Sequence, residues 1–302
     1  MSTRPDISTI RLGTRRSPLA LWQAQWVESR LQSSFPAIRV ECLPMITTGD
    51  RVRGPLAPQG GKGLFVRELD EALRQGRIDC AVHSVKDIPG ILAPGIAIAA
   101  LSPRADPHDL LVTRGTTLMT LPTDAVVGTS SPRRRWQLAQ VRPDLRWVDF
   151  RGNVATRVEK LQTGAVDATI LAAAGVHRLG LQVPHATPLS METMIPAIGQ
   201  GTIAVTVRSD DEGIYRLMVA ACHDAANAEV TMAERALLAA IGGDCHTPLA
   251  GHARIIGEEI ELTAFLASAD GARCARSVQR GPRGGGERLG AKVAEDLKSQ
   301  VG

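Results

Sequence analysis

Leu73-Arg-Gln-Gly76-Arg-Ile-Asp79-Cys-Ala-Val82 and Leu161-Gln-Thr-Gly164-Ala-Val-Asp167-Ala-Thr-Ile170 are one pattern written twice, offset by 88 residues. In each, a helix closes at a glycine and an apolar, strand-like run begins beside an aspartate. Each copy also follows a glycine-containing turn that leads into its helix, Gly60-Gly-Lys-Gly63 in one and Arg151-Gly-Asn153 in the other. Helix-glycine-strand joints are common, so one copy alone would decide nothing. The matching order on both sides points to two similar α/β lobes.

Working outward, the first two-thirds of the chain alternate short β-branched runs with helical patterns. Strands are expected at Ile10–Thr14, Val40–Ile46, Ile78–Val82, Ile96–Leu101, Leu110–Thr113, Val126–Gly128 and Arg146–Phe150. Ser17-Pro18 reads as N-cap and first helical residue, with Leu19, Trp22, Trp26 and Leu31 as the buried stripe of the helix that follows. Further helices are expected over Leu64–Gln75 and Arg134–Val141. This alternation implies parallel sheets in both lobes, an arrangement that resembles the periplasmic-binding-protein type, with ligands at strand C-termini and helix N-termini. After Gly201 a strand (Thr202–Val207) and a helix (Tyr215–Cys222) return to the first lobe. From Ala228 the pattern changes to a helix at Val230–Ile241, strands at Ala253–Ile256, Ile260–Ala267 and Arg273–Arg280, and a closing helix at Glu287–Lys298. The expected domains are therefore 1–102 with 202–222, 103–201, and a small α+β C-terminal domain at 223–302.

Composition narrows the classes. A chain of 302 residues with 44% hydrophobic and 22% charged residues is an ordinary globular one. No apolar run approaches the ~18 residues that span a bilayer, and the start, Met1-Ser-Thr-Arg-Pro-Asp, has no apolar leader core. The five cysteines (Cys42, Cys80, Cys222, Cys245, Cys274) are odd in number and widely spaced, without C-x-x-C, which argues against a disulfide framework or zinc ribbon and fits a cytoplasmic protein with reduced thiols. A net charge of +4 with 3% aromatics gives no footprint for a nucleic-acid partner.

Several polar segments fall just after strands, where α/β topology places ligands. Thr14-Arg15-Arg16-Ser17 joins a strand to a helix and offers an anion backbone N–H groups, the Ser17 hydroxyl and the Arg15 fork. Gly60-Gly61-Lys62-Gly63 lacks Walker spacing and reads as a turn or a loop able to close over an anion. His83-Ser84-Val85-Lys86-Asp87-Ile88-Pro89 sets a cation beside a carboxylate, either a solvated ion pair or an acid that stabilises a developing cation. Gly128-Thr129-Ser130-Ser131-Pro132-Arg133-Arg134-Arg135 combines hydroxyls with arginines at a helix start. Arg151-Gly152-Asn153, Arg157 and Arg178 add further forks, and together they suit a ligand with several carboxylates. Cys245, in Gly242-Gly-Asp-Cys-His-Thr-Pro248, is either a buried thiol or an accessible nucleophile and attachment point. The other four cysteines lie in strand or helix patterns and are expected in the core.

In combination, T-R-R-S-P-L-A-L-W-Q-A (14–24), G-G-K-G-L-F (60–65), H-S-V-K-D-I-P (83–89), G-T-S-S-P-R-R (128–134), R-G-N-V-x-T-R (151–157), P-A-I-G-Q-G (196–201) and the Cys245 loop closely resemble the hydroxymethylbilane synthase, or porphobilinogen deaminase, family. They stand in the family's order and cover nearly the whole chain. The resemblance implies a monomer of three domains with a dipyrromethane cofactor bound to Cys245 through a thioether. Four porphobilinogen units are added to it head-to-tail with loss of ammonia, and hydrolysis frees hydroxymethylbilane. It also implies Asp87 as the catalytic carboxylate. Lys86, Ser131, Arg133 and Arg134 would bind the cofactor, and Arg15, Ser17, Arg151, Arg157, Arg178, Lys62 and Phe65 the substrate. Lys62 and Phe65 would lie on a mobile loop. Pro58, Pro132 and Asp244 depart from the family pattern, and a carboxylate beside Cys245 raises a thiol pKa unless it is paired. Without the resemblance, a non-catalytic two-lobed receptor for a polycarboxylate would fit the same arginines.

Overall fold

A computed structural model describes residues 8–51, 63–243 and 247–302. Lys62, Pro58, Asp244 and Cys245 lie outside the described residues. The elements run β1 (Thr9–Arg15), α1 (Pro18–Ser34), β2 (Arg39–Met45), α2 (Thr48–Arg51), α3 (Arg67–Arg74), β3 (Cys80–Ser84), a 3-10 turn (Val85–Asp87), β4 (Ile96–Leu101), β5 (Asp109–Thr113), β6 (Val126–Gly128), α4 (Pro132–Val141), β7 (Arg146–Val148), α5 (Val154–Gln162), β8 (Ala168–Ala172), α6 (Ala173–Arg178), β9 (Ala186–Pro188), β10 (Ile203–Arg208), α7 (Glu212–Cys222), α8 (Ala225–Ile241), β11 (Leu249–Ile256), β12 (Glu259–Ala267), β13 (Cys274–Pro282) and α9 (Gly286–Val301). The chain divides into two compact units, 1–104 with 202–228, and 105–201 with 229–302.

The first unit holds a five-stranded sheet ordered β2-β1-β3-β10-β4, and the second one ordered β7-β6-β8-β5-β9. The two share one plan. Three strands run parallel in each, and the fourth and fifth run antiparallel to their neighbours. This corrects the expectation of purely parallel sheets. β5 and β10 follow the crossings between lobes without a crossover helix, so nothing forces them parallel.

The repeat seen in the sequence is a repeat of hydrogen bonds. Asp79 Oδ2 accepts the backbone N–H of Arg11 at 2.8 Å, while the Asp79 N–H donates to the Arg11 carbonyl. Asp167 Oδ2 accepts from the N–H of Val126 at 2.8 Å, and its own N–H donates to the Val126 carbonyl. Each aspartate clips the neighbouring parallel strand, Asp79 at the third residue of β1 and Asp167 at the first of β6. The glycines before them, Gly76 and Gly164, have φ of 65° and 82°, the left-handed conformation that ends α3 and α5.

α1 starts as expected, with the Ser17 hydroxyl accepting the Ala20 N–H and Pro18 in the first turn. Its buried stripe differs. Ala20, Gln23, Ala24, Val27 and Leu31 face the sheet, and Trp22 and Trp26 are only partly buried at its margin. Small and branched residues let the helix approach β1, where bulky indoles would not. Each fully buried Leu or Ile in this layer, such as Ile10, Leu12 and Leu31, contributes roughly 1.5–3 kcal/mol.

The second unit also contains the antiparallel sheet β11-β12-β13, backed by α8 and α9 around Leu237, Ile260, Leu262, Val293 and Leu297. Trp136 of α4 packs over Gly271, where a Cβ would lie 2.2 Å from the ring, so only glycine fits there. Among the described residues no helix is long and apolar enough to cross a membrane.

Candidate active site

In the first unit, β1 delivers Arg15 to the sheet's edge and the 3-10 turn after β3 delivers Asp87. The Arg15 guanidinium bonds Asp50 Oδ1 at 2.5 Å, lies 3.7 Å from Asp87 Oδ2 and stacks 4.3 Å over the Phe65 ring. Asp50 is itself oriented by the Thr47 N–H and hydroxyl. Burial would raise its carboxyl, but hydrogen bonds from Arg15 and Thr47 more than offset this and hold it below the usual range. Arg15, Ser17, Phe65, His83, Ser84 and Asp87 line one pocket. The Asp87 side chain is 31% exposed, so its carboxylate is fixed from one side and open on the other. A carboxylate beside an aromatic face suits a flat, N–H-bearing group that becomes cationic. Lys86 sits half-buried on the same turn.

In the second unit, the equivalent corner follows β6. The Ser131 hydroxyl caps α4 by accepting the Arg134 N–H, and Pro132 occupies the first turn. Gly128 lies under Phe150, where a Cβ would fall 2.5 Å from the ring. Arg133 and Arg134 turn inward onto Asp109, which is fully buried. Arg133 Nη1 donates to Asp109 Oδ2 at 2.7 Å, Arg134 Nη2 to Oδ1 at 2.7 Å, and Gln200 Nε2 to Oδ1 at 3.1 Å. Burial alone would raise Asp109, yet the two guanidinium charges hold it far below the carboxylate range. Arg157 joins this group, donating from Nη2 to the Ile170 carbonyl at 2.7 Å and the Thr169 hydroxyl at 3.2 Å. Burial lowers it to about 9, still cationic at neutral pH, and its Nε is buried with no partner. Three guanidiniums thus face one carboxylate, which leaves an excess of positive charge and a buried donor without a partner. Arg178, at the end of α6, is lowered by burial to about 10 and donates to the Gly201 carbonyl at 2.7 Å. Arg151 stands apart, paired with exposed Asp149 at 3.0 Å.

Asp50, Asp109 and Gln200 escaped the reading from sequence. The signal for Asp109 is a lone acid opening the all-buried strand β5, a position that demands a cationic partner. Among the four described cysteines, Cys80 and Cys222 are buried as expected, whereas Cys42 and Cys274 are only partly covered because they sit toward the sheet edges. Burial pushes the Cys222 thiol up to about 12 and Cys80 higher still, which silences both as nucleophiles.

Residues 10–216 match the family described as porphobilinogen deaminase, dipyromethane cofactor binding domain, and residues 228–299 match porphobilinogen deaminase, C-terminal domain. The porphobilinogen deaminase of Roseiflexus sp. (strain RS-1) is 47% identical over 296 residues, covering 97% of each chain. That of Geotalea daltonii is 43% identical over 297 residues, covering 98% of this chain and 93% of the relative. Among solved structures, the periplasmic sulfonate-binding protein SsuA from Methylobacillus flagellatus KT aligns at 18% identity and TM-score 0.43, over 72% of this chain and 67% of that one. The periplasmic VFT2 domain of Bordetella pertussis BvgS aligns at 16% identity and TM-score 0.43, over 77% and 92%.

Proposed function

The chain belongs to the porphobilinogen deaminase family, and from that premise we propose that it joins four porphobilinogen units head-to-tail onto a dipyrromethane primer held by Cys245. One ammonia leaves per unit, and hydrolysis releases hydroxymethylbilane for tetrapyrrole synthesis. The observation that carries this reading is the cluster of Arg133, Arg134 and Arg157 around Asp109, with more cations than anions and the buried Arg157 Nε without a partner. Every pyrrole of the growing chain bears an acetate and a propionate, so the ligand is a polyanion. A buried donor without an acceptor costs about 1–3 kcal/mol, which a ligand carboxylate would recover. Family membership sets aside the reading as a receptor without turnover.

When bound, the dipyrromethane group supplies the covalent starting point for chain growth. Cys245 would be its anchor, and Lys86, Ser131, Arg133 and Arg134 would hold its carboxylates. Arg15, Ser17, Arg151, Arg157, Arg178, Lys62 and Phe65 would bind the incoming porphobilinogen. At Asp87 the carboxylate would accept the pyrrole N–H and stabilise the cation left as the substrate's aminomethyl group departs as ammonia. It would then help remove the proton displaced when the new carbon–carbon bond forms. Arg15, stacked on the Phe65 ring, fixes one side of Asp87 and leaves the other for that cation.

We place the domains at 1–102 with 202–222, 103–201 and 223–302. The separate family match from residue 228 supports the last of these, although its core of α8, α9 and β11–β13 also takes in Ile198. The protein would act as a cytoplasmic monomer with no nucleic-acid partner. Intact-mass measurement of the denatured protein beside a Cys245→Ala variant tests the reading. A mass excess of two pyrrole units on the wild type, absent from the variant, supports it. An unmodified wild type, still bare after incubation with porphobilinogen, contradicts it.

A further inference from the structure

A second cavity lies in the first unit between α3, the sheet strands β3 and β10, and the segment from Ile88 to Ala93. It shares only His83 with the lining of the Asp87 pocket. His83 is buried and hydrogen-bonded to Thr206 at 3.0 Å, so it forms a neutral back wall. Asp70 lines this cavity from α3. It is 9% exposed, and among the described residues no group stands within hydrogen-bond or ion-pair distance of its carboxylate. A largely covered carboxylate whose oxygens keep some accessibility and have no donor among the described residues favours a ligand that donates to it. Burial raises its carboxyl to about 6, so it is ionised at neutral pH and calls for a cationic donor.

The rest of the lining restricts what that donor belongs to. Arg67 and Arg74 stand one helical turn before and after Asp70 on the same face of α3. Arg74 is already paired with Glu71 at 3.0 Å, whereas Arg67 is exposed and has no ion-pair partner among the described residues, which makes its guanidinium the candidate anion receptor. Val66, Ile88, Pro89 and Leu92 supply an apolar wall. A simple amine would satisfy Asp70 and leave the guanidinium, and a simple acid would do the reverse.

We propose that this cavity is a second ligand site, which takes a small zwitterion with its ammonium on Asp70, its carboxylate on Arg67 and a short aliphatic body against Val66, Ile88 and Leu92. An aliphatic α-amino acid has this chemistry. The site is independent of porphobilinogen turnover, so its test reads binding and not activity. L-leucine is titrated to about 10 mM, a range suited to so small a ligand, against the full-length protein with 13C-labelled methyl groups. The expected result is a saturable shift confined to the methyls of Val66, Ile88 and Leu92. Isopentylamine and isovalerate, which each lack one charge, should bind about tenfold more weakly or less. Asp70→Asn should weaken L-leucine by a similar factor, and Ala93→Phe, which fills the cavity and keeps Asp70, should abolish the shift. No saturable shift in the wild type would overturn the proposal. So would a shift that survives both variants, or isovalerate binding as tightly as L-leucine.

Discussion

Asp79 in one lobe and Asp167 in the other make the same pair of bonds to the adjacent parallel strand, and Ser17-Pro18 and Ser131-Pro132 cap the same helix in each. One turn of chain away the likeness ends. In the first lobe Arg15 stays near the surface between Asp50 and Asp87, and the Asp87 carboxylate remains open. In the second, Arg133 and Arg134 are drawn beneath the surface onto Asp109, which has no exposure at all. Duplicated backbone clips preserve the fold, while burial decides which lobe keeps a usable carboxylate and which becomes a fixed cationic bed. On the proposed reading, the first lobe adds proton and charge chemistry to anion binding, while the second only holds anions.

The largest expected effect separates chemistry from stability. Asp87→Asn should lower kcat by about 10²–10⁴-fold, because a single open carboxylate supplies both proton transfer and charge stabilisation. Its thermal midpoint should stay within a few degrees of wild type, and a large fall in midpoint would make Asp87 structural instead. Asp109→Ala should do the opposite. It strands two buried guanidiniums and should cost about 3–5 kcal/mol in denaturant unfolding. Asp50→Ala, its counterpart in the first lobe, removes a partly exposed partner and should cost no more than ~1 kcal/mol. Equal losses at the two sites would break the comparison.

The pH response sharpens it further. His83 is held by burial down to about 4, so the stability it contributes is present above its unfolded value and is lost as pH falls toward 4. Asp70 is raised by burial to about 6, so its contribution is present at low pH and is lost as pH rises through 6. With opposite signs the two contributions offset one another between pH 4 and 6. Relative to wild type, His83→Gln should therefore gain stability as pH falls across that window and Asp70→Asn should lose it, measured as denaturant midpoints against pH. The smallest effect concerns the shared clip. Asp79→Ala and Asp167→Ala should each cost about 1–2 kcal/mol, and a clear inequality would mean that the two clips are alike only in geometry.

The two-lobed plan was legible because its signals are local. Helix-closing glycines, the Asp79 and Asp167 echo and the Ser-Pro caps are each set within a few residues. Strand limits shifted by about two residues where a clip rather than hydrophobicity sets the start, so that β3 begins at Cys80 after Asp79 and not at Ile78. The candidate arginines were visible as residues after strands, but their fates were not. Arg133 and Arg134 are buried only because Asp109, about two dozen positions earlier, lies at the matching point of the adjacent strands. Arg151, read with the same weight, is a surface pair. Long-range register separates these cases, and no local pattern encodes it.

The central claim is the division of labour between the lobes, and a kcat-against-KM measurement tests it most directly. Steady-state rates of ammonia release from porphobilinogen would be compared for wild type, Asp87→Asn and Arg157→Gln. The account predicts that Asp87→Asn loses kcat with KM little changed, whereas Arg157→Gln chiefly raises KM. The reverse split, with Asp87→Asn altering only KM and Arg157→Gln only kcat, would contradict it.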